Sequence, residues 1–129
     1  MDFKKIKIEI ETAIKMYKNY EECLKKNSNK DISNLSDFKD DCTDTQDEVI
    51  QYFESLSQED VTAILAIMYA GRDYVKIPPE GDSYIPFEMH YKKYRNTDKN
   101  VAISQIMDKS DLIEYLSLGM KYYENEFYS

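Results

Sequence analysis

Residues 57–72 read SQEDVTAILAIMYAGR, and this stretch decides the fold. Ser57, followed three residues later by Asp60, forms a capping box with a shortened acid at the third helical position, and Leu56 and Val61 flank it as a hydrophobic staple. A helix therefore begins here. Between Val61 and Ala70 only Thr62 lacks a largely apolar side chain. A helix that is apolar on all sides belongs at the centre of a helical domain. Gly71 falls where a left-handed C-terminal cap is expected.

Upstream, Phe3, Ile6, Ile10, Ala13, Tyr17, Tyr20 and Leu24 recur at 3-4 spacing and predict one long amphipathic helix over 1–27. Ile14 widens its stripe. The polar run NSNKD at 27–31 breaks it. A second helix, beginning near Ser36, carries Phe38, Cys42, Thr45, Val49, Tyr52 and Leu56, broadened by Ile50 and Phe53. Residues 1–30 hold 8 basic and 5 acidic groups, and residues 31–60 hold 1 and 10. An antiparallel hairpin of the two helices sets these unlike segments side by side. A turn near residue 32 also brings Cys23 and Cys42 into register, as neighbouring free thiols if the compartment is reducing.

Downstream, Pro78, Pro79 and Gly81 predict a loop over 73–83 with a brief extended stretch at 74–77. A short helix starts near Pro86 and carries Phe87, His90, Tyr91 and Tyr94. Asp98 caps another bearing Val101, Ile103, Ile106 and Met107. Ser110 caps the last, which runs through Leu112, Ile113, Leu116, Met120 and Tyr123 towards Phe127. Gly119 inside that helix marks a close helix contact, because glycine otherwise costs a helix interior about 1 kcal/mol. The expected architecture is all-α: one domain over 1–129, with a long N-terminal helical hairpin (1–57) packed against a cluster of shorter helices (58–129).

The totals exclude several functions. With 17 basic and 25 acidic residues the net charge is −8, which opposes a general grip on nucleic-acid phosphates. No apolar run approaches the length of a membrane span and no signal-peptide block opens the chain, so a cytoplasmic protein is expected. His90 is the only histidine, which removes multi-histidine metal sites, and the sequence presents no catalytic residue, metal site or cofactor motif.

Four features remain as candidate binding surfaces. Asp40, Asp44 and Asp47 share a helix face that reads as solvated or as a docking surface, since the segment lacks the glycine and bidentate glutamate of a calcium loop. Tyr84, Tyr91 and Tyr94 centre a tyrosine-rich surface, with His90 beside them. Arg72 is one of two arginines among 15 lysines. Its forked guanidinium suits either a structural pair at the packed end of the apolar helix, the favoured reading, or an anion site. The Phe3–Leu24 seam could also serve a second copy of the chain.

The half from Val61 to Met120 resembles a small bacterial family of unknown function. In that family an apolar helix ends in a Gly-Arg-acidic or Gly-Arg-Gly turn, and a later helix carries Leu-x-x-x-Leu-x-x-Gly. The matching elements are AILAIMYAGRDY at 63–74 and DLIEYLSLGM at 111–120, with Leu112, Leu116 and Gly119 on the second motif. The resemblance implies a helical domain and draws attention to Gly71, Arg72 and Gly119; it supplies no activity. Together these readings lead to the expectation of a nonenzymatic interaction module that takes a protein partner or a second copy of itself. The competing expectation is a small-ligand or anion site at Arg72.

Overall fold

A computed structural model describes residues 2–28, 35–74 and 85–127, except for the side chains of 27, 28, 35–41, 74 and 127. Seven helices and no strand occur among the described residues: α1 (Phe3–Ser28), α2 (Leu35–Ser55), α3 (Gln58–Tyr74), α4 (Phe87–Tyr94), α5 (Lys99–Met107), α6 (Leu112–Tyr122) and α7 (Glu124–Phe127). The long α1 lies along α2, and the shorter helices gather around α3. Of the expected loop over 73–83, residues 73 and 74 instead continue α3, because the helix runs on past Gly71, and 75–83 lie outside the described residues, as does Tyr84.

Spacing explains why each helix turns the face it does. On α1 the residues at 3-4 spacing, Ile6, Ile10, Ala13 and Tyr17, are buried, whereas Leu24 at its far end stays 40% exposed. The chain's own core thus takes the middle of this seam. Val49 and Phe53 of α2 join the same core, and every residue of α3 from Asp60 to Gly71 is buried. Ser57 Oγ accepts the Asp60 amide at 3.1 Å, which is the capping box's first half. The reciprocal half is not made, because the Asp60 carboxylate turns to Lys5 Nζ of α1, at 3.1 Å.

The central packing event is the crossing of α3 on α6. A Cβ added to Gly71 would overlap the carbonyl oxygen of Tyr115 and come within 2.8 Å of the Gly119 amide nitrogen. A Cβ on Gly119 would overlap the Ile67 carbonyl. Each glycine thus makes room for the other helix's backbone, as Gly119 led one to expect. Gly71 is a correction. It lies within α3, which runs on to Tyr74, and it is there for its missing side chain, not for a left-handed conformation.

Two smaller features also differ from expectation. Asp111, not Ser110, occupies the N-cap position of α6, and it makes no side-chain cap. The last helix is interrupted at Tyr123, whose amide donates to the Gly119 carbonyl at 3.1 Å before α7 begins. Asp98 does cap α5, accepting the Asn100 amide at 3.0 Å. The first turn of α4 is capped from across the fold, since the Phe87 amide donates to Glu126 Oε2 at 3.1 Å.

Cys23 and Cys42 are neighbours, as the hairpin register requires, with Cα atoms 5.6 Å apart. Where free thiols were expected, they are joined in a disulfide. Their Cα separation lies inside the range that a bridge requires, so the hairpin needs no backbone adjustment to close it.

Candidate functional site

The C-terminal end of α3 gathers the largest set of interacting aromatic and charged side chains among the predicted site residues. Tyr69 stacks on Tyr94 of α4, with ring centroids 4.9 Å apart and planes inclined at 24°. Its hydroxyl donates to Gln105 Oε1 of α5 at 2.6 Å. Three helices therefore fix the pair. His90, one turn before Tyr94, meets that ring edge-on at 5.2 Å.

Three cations surround the stack. The Arg72 guanidinium lies 4.4 Å from the Tyr69 ring centroid, Lys109 Nζ lies 5.5 Å from the same ring, and Lys93 Nζ lies 5.6 Å from the Tyr94 ring. Aromatic faces carry negative quadrupole charge, so the rings hold these cations in place without neutralising them. Among the described residues, Asp73 is the one carboxylate that pairs with the group, accepting from Arg72 Nε at 2.8 Å. In a chain of net charge −8 this is a local concentration of positive charge.

The favoured expectation for Arg72 is a structural pair at the packed end of the apolar helix, and Arg72 does pair with a carboxylate, that of Asp73, but at the surface. Its side chain is 42% exposed and its carboxylate partner is its own chain neighbour. α3 continues past Gly71 to Tyr74, so Arg72 projects from the helix's last turn. The hydrogen bond to Asp73 foremost raises the guanidinium's already high affinity for its proton, so the cation is permanent.

His90 is only 3% exposed and supports Tyr94 from within the fold. Burial foremost, then the nearby charges of Lys93 and Arg72, pushes its pKa below the ordinary histidine range, with Asp73 opposing. The imidazole is consequently neutral at pH 7.

The structure separates the expected tyrosine surface into two stripes. His90 and Tyr94 point towards α3, whereas Phe87 and Tyr91 form the neighbouring stripe, their rings 5.8 Å apart. Phe3 of α1 meets Phe87 edge-on at 5.3 Å. Asp44 and Asp47 are exposed on α2, apart from both stripes, while Asp40 belongs to α2 with its side chain outside the described set. Among the described residues, no group of three or more histidine, cysteine, aspartate or glutamate side chains could hold a metal ion.

Sequence reasoning missed Tyr69, Lys93 and Lys109 as site residues. Tyr69 was read as core, which its 7% exposure justifies, but a buried ring can still hold a surface cation. It also missed a buried carboxyl pair at the other end of α3. Glu9 of α1 and Asp60 of α3 are each 7% exposed, and their carboxyls abut. Burial foremost, then the Asp60 carboxyl, raises Glu9 to about 7, with Lys5 opposing and Asp2 adding slightly. The position of Glu9 carried a signal: it is three residues after Ile6 and four before Ala13, at the edge of the buried seam.

Comparison with known proteins yields no matching family model, no matching curated protein and no matching solved structure. The same structure has no helix, among the described residues, long and apolar enough to cross a membrane.

Proposed function

We propose that the protein is a nonenzymatic interaction module that docks an acidic segment of a partner protein on the Tyr69–Tyr94 stack. The observation that carries this reading is the placement of three cations, Arg72, Lys93 and Lys109, around one aromatic pair held by three helices. A positive, pre-formed surface on an otherwise acidic chain attracts carboxylates. Its side chains are already ordered, so docking loses little conformational freedom.

Titration with a labelled peptide of glutamates around a single phenylalanine tests this, followed by amide chemical shifts. The expected result is a shift confined to residues 69–73, 93–95 and 105–109, with affinity that falls as salt rises. Replacing Arg72, Lys93 and Lys109 together by glutamine should abolish it. The competing reading, a small-anion site at Arg72, predicts instead that acetate or inorganic phosphate binds as tightly as the peptide.

A further inference from the structure

On the opposite stripe of α4 lies a cleft of about 340 Å³, lined by Phe3, Phe87, Glu88, Tyr91, Lys92 and Arg95. We infer that this cleft is a second binding site, separate from the docking face, for a small planar aromatic molecule bearing one carboxylate. Three aromatic rings, from two helices, form its apolar part. Phe87 is the floor at 3% exposure, and it is locked by edge-on contacts with Phe3 at 5.3 Å and Tyr123 at 5.4 Å. Phe3 and Tyr91 are half-buried and line the cleft.

The polar side of the cleft follows from helix geometry. Glu88, Tyr91, Lys92 and Arg95 succeed one another at 3-1-3 spacing and so share one face of α4. Lys92 is committed to Glu88, with Nζ and Oε1 3.6 Å apart. Arg95, at the C-cap of α4 and exposed, lines the cleft and makes no ion pair among the described residues. A planar fork beside an aromatic-lined slot selects a ligand that is flat and ends in a carboxylate, because the ring buries against rings while both oxygens meet one guanidinium. A volume of a few hundred Å³ suits a one- or two-ring molecule and excludes a folded partner.

Amide-shift titration of the whole chain with indole-3-acetate tests the assignment, with neutral indole-3-acetamide and ring-free acetate alongside. The acid is expected to bind saturably and to shift amides at residues 3–6 and 87–96, leaving residues 69–73 unmoved. The amide should bind about tenfold more weakly, the worth of one charge-assisted bidentate contact, and acetate not at all. Arg95 is exposed, so Arg95→Gln should keep the wild-type melting profile while binding the acid no better than the amide. Absence of any shift at millimolar indole-3-acetate would overturn the site, as would equal affinity for acid and amide or an Arg95→Gln variant that binds the acid normally. Failure of the acidic-peptide titration leaves this site standing, because the two share no side chain.

Discussion

The two ends of α3 place charge in opposite circumstances. At its N-terminus Asp60 and Glu9 are shut between helices, and at its C-terminus Arg72 stands at the surface beside Tyr69. A buried charge alters stability, because removing it from water must be offset by a partner or by a proton. An exposed charge alters stability little and remains available to something outside the protein. Gly71 and Arg72 show the same contrast within two residues: Gly71 gives α6 its room, and Arg72 faces outward.

Filling the buried side should produce the largest effect. Gly71→Ala puts a methyl group into the Tyr115 backbone, which cannot yield as a flexible side chain would. A loss of about 3 kcal/mol or more is expected from denaturant melts. Gly119→Ala should cost a similar amount, and the two together less than their sum, because one separation of α3 from α6 relieves both. A loss under 1 kcal/mol for either would mean that the helices do not cross so closely.

Opening the Cys23–Cys42 bridge should cost about 3 kcal/mol, the loop-closure entropy of a ring of this size. Melts with and without a phosphine reductant measure it, and Cys23→Ser with Cys42→Ser should match the reduced protein. The effect lies in the hairpin, so the α3 surfaces should keep their properties.

Next in size is the carboxyl pair. Glu9 holds a proton to about 7 in the folded chain, whereas its ordinary value is 4.5. Between these values the folded chain binds more protons than the unfolded chain, so stability falls as pH rises. The contribution is complete below about 4.5 and gone above about 7; its size is about 1–3 kcal/mol. Urea midpoints at pH 5 and pH 8 should show the decline. Glu9→Gln cannot ionise, and is expected to remove that slope and to exceed the wild type at pH 8.

Much of the helical architecture could be read from the apolar pattern, because α1 and α2 bury the centre of the stripe that 3-4 periodicity selects and α3, apolar on all sides, is buried all round. The Asp98 cap was equally legible, its hydrogen bond being local. Gly71 was not. A glycine near a helix end looks the same whether it caps the helix or clears space for another, and what decides is the Tyr115 backbone across the crossing. The exposure of Arg72 was not legible for the same reason, since it depends on α3 continuing to Tyr74. At the candidate site, Arg72, His90 and Tyr94 were legible as unusual residues, but their assembly with Tyr69, Lys93 and Lys109 needed three helices to be placed. One lysine among 15 carries no mark of its neighbour.

The smallest stability change is also the most direct test of the claim that the C-terminal end of α3 is a binding surface. Arg72→Ala should lie within about 0.5 kcal/mol of the wild type in denaturant melts. The same variant should lose about fivefold or more of its affinity for the glutamate–phenylalanine peptide, the order of one charge-assisted contact to a carboxylate. A stability loss of about 2 kcal/mol with unchanged peptide affinity would contradict the account and make Arg72 a structural anchor.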